Sequence, residues 1–187
     1  FTQEDPIRDG SNWYTYCYND PINFIDSSGL APTVSQAAAM AAHIYDHDMS
    51  NDQYERAVDG WRLITVWNGR ESMKMGMYIR EGDDWQNPSE YTVVFRGTTT
   101  WFDDNGLSSE AKNNIEAVAT GSSADMWDAM NYSKGFMDEH PGKEVTFVGH
   151  SKGGGEAITA AVYMDSNAIT FNAANFDFHK YVRGFGK

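Results

Sequence analysis

Five short segments of the chain have the apolar or alternating pattern of β-strands. Residues 61–67 alternate and are rich in aromatic and β-branched side chains, which predicts a half-buried strand. Residues 91–96 and 145–148 are compact apolar runs of the length typical of buried strands. The pattern predicts strands over residues 61–67, 73–80, 91–96, 145–148 and 168–171.

Four other segments are compatible with helices. The first is rich in alanine and contains Ser35, which we predict to cap it. In the third, Ser122 and Asp125 are spaced like a capping box. The predicted helices cover residues 34–45, 108–119, 122–140 and 154–164. Strands that first follow one another and then alternate with helices predict an α/β fold, with a sheet that is mixed at its start and parallel later.

Composition narrows the class of function. The 187 residues suffice for one compact domain with a short appendage. They include 27 acidic and 14 basic residues, and the net charge of −13 argues against a nucleic-acid partner and against electrostatic docking on anionic lipid. A single cysteine, Cys17, excludes an internal disulfide and a multi-cysteine metal site. The sequence starts at Phe1 without a signal segment, so we expect it to be part of a longer chain.

The most specific local pattern is Gly149-His150-Ser151-Lys152-Gly153, which matches Gly-x-Ser-x-Gly. An apolar strand precedes it and an alanine-rich helix follows it. Such a turn needs glycines because bulk on either side of the serine would collide with the strand and the helix. We predict that Ser151 is a nucleophile, that Lys152 acts through its main-chain N–H while its side chain faces substrate or solvent, and that Glu156 lies in the first helical turn. The alternative is a glycine-rich helix start with an idle serine.

A second pattern lies upstream, in Val-Val-Phe-Arg-Gly-Thr at residues 93–98. An oxyanion hole needs two N–H groups that converge from different loops. Thr98, just after Gly97, offers the second donor to an elbow at Ser151. The alternative is an ordinary turn at the end of a strand.

These motifs occur in the order found in the class 3 lipase group of the α/β-hydrolase superfamily, which residues 31–187 resemble. Thr-Phe-Asn-Ala-Ala at residues 170–174 also matches, as do the positions of Trp61 and Tyr78. The resemblance implies an α/β-hydrolase domain that needs no metal or cofactor. It implies Ser151 as the nucleophile, with Thr98 and Lys152 as the oxyanion hole. It also places the lid at residues 101–114, where three apolar side chains would meet lipid on opening: Trp101, Phe102 and Leu107.

The same resemblance implies a catalytic Asp and then a His after Ser151, but only 36 residues follow it. Asp165 ends the helix after the elbow, on the wrong side for a triad acid. Asp177 and His179 alternate on one segment, where they cannot easily bond to each other as a triad requires. We therefore expect the domain to be truncated before its catalytic acid and base. A serine without its base should be nearly inactive in acyl transfer.

Three further histidines have simpler interpretations. His150 is adjacent to the nucleophile, and we expect it to be packed or hydrogen-bonded within the elbow. His43 and His47 are spaced i and i+4 and could form a metal pair, but without a third ligand we favour a solvated or capping role.

Residues 1–30 resemble the end of the Rhs/YD-repeat core, which closes a β-cage around a variable C-terminal toxin. Asn-Trp-Tyr-Thr-Tyr at residues 12–16 and the stretch from Asn19 to Leu30 carry the likeness. Asp26, Gly29 and Leu30 match the family's Asp-Pro-x-Gly-Leu cleavage motif, with Ser27 in place of the proline. The resemblance implies cleavage after Leu30. The alternative for residues 1–30 is an ordinary β-edge rich in aromatic residues.

Together the two resemblances imply a toxin: an esterase delivered by an Rhs-type carrier into a competing bacterial cell. We expect it to be a serine phospholipase that attacks membrane lipid, with a cognate immunity protein as partner. Two alternatives stay open at this point. The domain could be a catalytically incomplete interaction module, or it could hydrolyse neutral lipids or small esters.

Overall fold

The computed structural model describes residues 31–46, 57–99, 102–103, 106–107, 112 and 123–174. The helices with bounds in this part of the chain are α1 (Val34–Asp46), α2 (Ala124–Glu139) and α3 (Lys152–Met164). The strands are β1 (Ala57–Val58), β2 (Trp61–Asn68), β3 (Lys74–Arg80), β4 (Glu90–Phe95), β5 (Phe102–Asp103), β6 (Gly106–Leu107), β7 (Glu144–His150) and β8 (Asn167–Phe171).

Six strands form one sheet in the order β1-β2-β3-β4-β7-β8. Successive strands from β1 to β4 pair antiparallel, whereas β4 pairs with β7, and β7 with β8, in parallel. Strands β5 and β6 form a separate two-stranded ribbon. The predicted α/β fold, with a sheet mixed at its start and parallel later, is confirmed.

The sheet is covered on both faces, because side chains of alternate residues along a strand point to opposite sides. Met75 and Met77 of β3 pack with α2 and α3, whereas Tyr78 packs on the other face with α1. Phe147 and Val148 of β7 likewise pack on opposite faces, Phe147 with α2 and α3 and Val148 with α1. Among the described residues, no helix is both long and apolar enough to cross a membrane.

The starts of the first two helices differ from the predictions. Thr33, rather than Ser35, caps α1: the Gln36 N–H donates to the Thr33 hydroxyl at 3.2 Å, and the Thr33 N–H donates to the Gln36 side chain at 3.0 Å. This is a reciprocal capping box. Ser123, rather than Ser122, caps α2 by accepting a hydrogen bond from the Met126 N–H.

The strand bounds differ from the predicted ones by one or two residues. Strands β1, β5 and β6 were not predicted because two residues are too few to show a period. The helix predicted over 108–119 lies outside the described residues, apart from Lys112, which is helical. The leading segment 1–30 lies outside them altogether.

The cap of α1 gives a first testable prediction. Thr33→Ala removes the hydroxyl that accepts from Gln36, and the free energy of unfolding should fall by about 1 kcal/mol. Ser35→Ala is the matched control, because Ser35 lies in the exposed first turn of α1 and, among the described residues, its hydroxyl bonds to the Thr33 hydroxyl at 3.3 Å and to no main-chain N–H. Urea denaturation of both variants decides the point. Equal midpoints would contradict the assignment of Thr33 as the cap.

Candidate active site

The turn between β7 and α3 forces Ser151 into an unusual backbone conformation. Its φ and ψ angles are 57° and −123°. Residues other than glycine rarely adopt a positive φ, and such strain persists only where the surroundings enforce it. The structure therefore has the sharp strand-to-helix turn that the Gly-x-Ser-x-Gly pattern predicts. The catalytic role of Ser151 itself stays a prediction.

The flanking glycines allow three backbone segments to meet at this turn. A Cβ atom added to Gly149 would lie 2.1 Å from the Gly153 carbonyl oxygen. A Cβ atom added to Gly153 would lie 2.2 Å from the carbonyl oxygen of Phe95, the last residue of β4. Both distances are far below van der Waals contact, so only glycine fits at either position.

The loop after β4 forms the second wall of the site. A Cβ atom on Gly97 would lie 2.6 Å from the His150 carbonyl oxygen and 3.3 Å from the Ser151 Cβ atom. Gly97 therefore lies directly against the nucleophile turn, and Thr98 follows it in the chain. This is the arrangement in which N–H groups from two loops can converge on one oxygen atom. The role of Thr98 in an oxyanion hole stays a prediction.

The segment after β8 supports the turn from the other side. The Ser151 N–H donates to the Phe171 carbonyl at 3.0 Å, and the Ala174 N–H donates to the Ser151 carbonyl at 2.9 Å. A Cβ atom on Gly154 would lie 2.8 Å from the Ala173 Cβ atom. Part of the Thr-Phe-Asn-Ala-Ala stretch, singled out in the sequence, thus contacts the elbow.

The side chain of Lys152 does not face substrate or solvent, so that expectation was wrong. It is 2% exposed and points into the protein, where its Nζ lies 2.6 Å from the Asp125 Oδ2 atom. Lys152 Nζ also donates to the Ser72 hydroxyl at 3.0 Å. Asp125, fully buried near the start of α2, accepts from the N–H groups of Ser72 and Met73, each at 3.0 Å, and from the Ser72 hydroxyl.

Glu156 is the third ionisable group of this cluster. It lies in the second turn of α3, whereas the sequence predicted the first turn. It is fully buried, with its Oε1 atom 3.6 Å from Lys152 Nζ, which is too long for a hydrogen bond. Burial raises the pKa of Glu156 to about 8, against the attraction of the Lys152 cation. Burial opposes ionisation of Asp125 as well, but the Lys152 charge and hydrogen bonds outweigh it and hold the Asp125 pKa below its usual value. The Arg96 charge also acts on Glu156 and lowers its pKa, but burial outweighs both cations, so Glu156 favours its uncharged form whereas Asp125 favours the anion.

The three histidines within the described residues bond to groups other than Ser151. His150 Nδ1 lies 3.0 Å from the Tyr45 hydroxyl, which confirms the expected hydrogen bond of this residue. His43, half-buried in the last turn of α1, bonds to the sheet, with its Nδ1 atom 2.9 Å from the Tyr78 hydroxyl. The solvated or capping role favoured over a metal pair stays a prediction. His140 Nδ1 lies 2.8 Å from the Phe136 carbonyl oxygen.

The sequence contained a signal for the position of His43. Residues three apart on a helix lie on the same side. His43 follows Met40, which is fully buried in the core between α1 and the sheet, by three residues. That spacing favours a histidine at the sheet over one in solvent.

Other predicted site residues are only partly described. Phe102 and Leu107 are partners in the β5–β6 ribbon. Asp165 caps the C-terminus of α3 in a left-handed conformation, a helix length of about 20 Å from Ser151, so it cannot serve as a triad acid. In the described part of the chain, no three His, Cys, Asp or Glu residues cluster as a metal site. The remaining predicted residues lie outside the described residues: Asp26, Gly29, Leu30, His47, Trp101, Asp177 and His179.

Comparison with known families agrees with this geometry. Residues 36–183 match the model of the Tle-like phospholipase domain. The chain belongs to the Tle-like phospholipase domain family. Membership in a phospholipase-like family agrees with the class of enzyme expected from the sequence. No curated protein sequence matches the chain.

Solved structures agree at the level of fold. A fungal lipase in complex with an inhibitor superposes with a TM-score of 0.52 at 12% identity, over 82% of this chain and 66% of the lipase. Lipase II from Rhizopus niveus gives 0.48 at 18% identity, over 82% and 67% of the two chains. The first of these comparisons shows that the Tle-like domain has an α/β-hydrolase fold, and the chain spans 66% of the length of that lipase.

The close approach at the elbow predicts opposite effects for two glycine substitutions. Gly153→Ala places a methyl group against the Phe95 carbonyl and should lower the free energy of unfolding by roughly 1–3 kcal/mol. Gly135→Ala in α2 meets no atom within 4 Å and should raise it by up to about 1 kcal/mol. Thermal unfolding of the two variants tests this. A Gly153→Ala protein as stable as wild type would contradict the packing described here.

The buried carboxyl group predicts a pH dependence of stability. Between the usual glutamate pKa of 4.5 and the folded value of about 8, the native state keeps a proton on Glu156 that the unfolded chain releases. The stabilisation that this proton gives to the folded state is complete below pH 4.5 and is lost as the pH rises through 8. Glu156→Gln removes the titration, so wild type should lose stability relative to the variant across this window. Urea denaturation from about pH 4 to about pH 9 measures the difference, with the exposed Glu139→Gln as control. Parallel curves for wild type and Glu156→Gln would refute it.

Proposed function

We propose that this Tle-like domain is a serine phospholipase that cleaves acyl chains from membrane phospholipids of a competing cell. The observation that carries the proposal is the conformation of Ser151, at a positive φ between β7 and α3 with glycines on both sides. A strained turn with no side-chain cap has a cost in stability, and such strain is typical of functional sites. Family membership supplies the class of reaction.

The reaction would follow the route of acyl transfer. Ser151 Oγ adds to the ester carbonyl carbon while its proton passes to a base. The oxyanion accepts hydrogen bonds from the N–H groups of Thr98 and Lys152. Collapse of this intermediate breaks the bond to the lysophospholipid oxygen, which takes up the proton. Water then attacks the acyl-enzyme, releases the fatty acid and restores the serine hydroxyl.

The described histidines all bond elsewhere, so we place the base outside the described residues. We assign contact with the lipid surface to the apolar segment that contains Trp101, Phe102 and Leu107. Surface charge does not suit this role, because a chain with a net charge of −13 is repelled by anionic headgroups.

The biological role rests on the first thirty residues. Their resemblance to the end of an Rhs core, with Asp26, Gly29 and Leu30 at the cleavage-like motif, supports delivery by an Rhs-type carrier and secretion into a target bacterium. A toxin of this kind needs a cognate immunity protein in the producing cell. The acidic surface suits a basic partner, because opposite potentials accelerate association.

The proposal predicts that toxicity depends on Ser151. The protein is expressed from residue 31 to its natural stop codon in the periplasm of a test bacterium. Wild type should stop growth and release fatty acid and lysophospholipid, and Ser151→Ala should lose at least about 1000-fold in rate because acyl transfer needs the nucleophile. Ser166→Ala, beyond the far end of α3, is the matched control and should remain toxic.

The growth experiment, a triacylglycerol substrate and active-site labelling together distinguish the alternatives. If Ser151→Ala is as toxic as wild type, or phospholipid keeps its acyl chains, the phospholipase proposal fails. Release of fatty acid from triacylglycerol alone would identify a neutral-lipid esterase. Failure of a fluorophosphonate to label Ser151 in the natural chain, without ester turnover, would identify an interaction module.

A further inference from the structure

The side chain next to the nucleophile is tied to two distant segments. Lys152 is both the first residue of α3 and the residue whose N–H is assigned to the oxyanion hole. Its ammonium group reaches Asp125 on α2 and Ser72 in the connection between β2 and β3. The backbone of Lys152 is therefore held at the elbow, and its side chain is held at a point where α2 meets the sheet.

Stability alone does not explain why this ion pair is buried. Removing two charges from water costs about as much as their attraction returns, and an apolar pair of similar volume often does as well. Here the pair is 2% and 0% exposed, and Asp125 uses both carboxylate oxygens, accepting from Ser72, Met73 and Lys152. Both oxygens of the Asp125 carboxylate are hydrogen-bonded, and such a buried ion pair fixes geometry because displacing either partner leaves a charge unpaired.

The charge balance of the cluster also favours a fixed arrangement. Burial raises the pKa of Glu156 and favours its uncharged form, which leaves Asp125 as the stronger partner of the Lys152 cation. Lys152 Nζ is accordingly closer to Asp125, at 2.6 Å, than to Glu156, at 3.6 Å. The lysine side chain thus has one preferred position within the cluster.

We infer that the Lys152–Asp125 ion pair is a positioning element that orients the Lys152 N–H toward the oxyanion. Rotation of the Ser151–Lys152 peptide would force the buried Lys152 side chain either to change its rotamer or to leave the Asp125 carboxylate, so the ion pair restrains the donor before substrate binds. The inference rests on the proposed function of Ser151. Oxyanion donors must be placed within about 0.5 Å, which gives a fixed lysine side chain a direct effect on the transition state.

The same helix offers a matched control. Asp128, one turn after Asp125 and 4% exposed, accepts from the Arg70 N–H at 2.7 Å and from the Arg70 guanidinium at 2.7 and 2.9 Å. This pair also ties α2 to the connection between β2 and β3, but it does not include the elbow. Asp128→Asn should therefore reproduce the loss of a buried carboxylate without disturbing Lys152.

The experiment compares Asp125→Asn, Lys152→Met and Asp128→Asn in the natural full-length chain, with phospholipid as substrate. The first two variants keep the main-chain N–H at position 152 but lose the ion pair. Their kcat should fall about 10- to 100-fold with KM changed less than about 2-fold, because loss of a whole oxyanion donor costs about 100- to 1000-fold. Asp128→Asn should keep the wild-type kcat. The double variant Lys152→Met/Asp125→Asn leaves neither partner of the ion pair as an unpaired buried charge, so it should recover stability but not kcat.

A second measurement does not depend on activity. Amide hydrogen exchange at residues 151–155 should be at least about 10-fold faster in Asp125→Asn than in wild type, and unchanged in Asp128→Asn. Wild-type exchange at the elbow in both variants, or a wild-type kcat in Asp125→Asn and Lys152→Met, would overturn the inference. Failure of the proposed function appears separately, as a wild-type activity that does not depend on Ser151, and the exchange measurement remains decisive in that case.

Discussion

The close approach of three backbone segments around Ser151 is the constraint on which the rest of the domain depends. The C-terminal end of β7, the first turn of α3 and the end of β4 come within van der Waals distance because Gly149 and Gly153 have no side chains. Parallel pairing of β4 and β7, with Phe95 opposite Gly149, provides the register for this contact. A single shift in that register would separate the loop after β4 from the serine and disrupt the site.

The remaining contacts of the elbow can be understood as means of holding a strained turn. The Phe171 carbonyl and the Ala174 N–H bond to the main chain of Ser151 from the β8 side. Tyr45 of α1 reaches the neighbouring His150 through its hydroxyl. The side chain of the residue after the serine adds the attachment to α2. The turn is thus held by an element from each layer of the fold, which is what a residue at positive φ requires in order to persist.

Much of this arrangement can be predicted from the sequence, and the exceptions share a physical cause. The sheet, its change from antiparallel to parallel and the elbow follow from apolar runs and two glycines, which are local signals. The cap at Thr33 was missed because Ser35 is an equally good capping residue, and only the reciprocal bond to Gln36 distinguishes them. The direction of the Lys152 side chain depends on Asp125 and on the connection between β2 and β3, which are distant in sequence. Pattern alone gives no access to such long-range partners.

This last case changes how the variable position of the motif should be understood. The residue after the nucleophile could be regarded as free to vary, since only its N–H takes part in the chemistry. In this domain its side chain points into the protein and ends on a buried carboxylate. A long apolar residue at this position would fill the same volume but would leave Asp125 without its cation, at a cost of roughly 3–5 kcal/mol. The lysine and the aspartate must therefore change together. The functional unit thus includes Asp125 on α2 as well as the sequence motif that ends at Gly153.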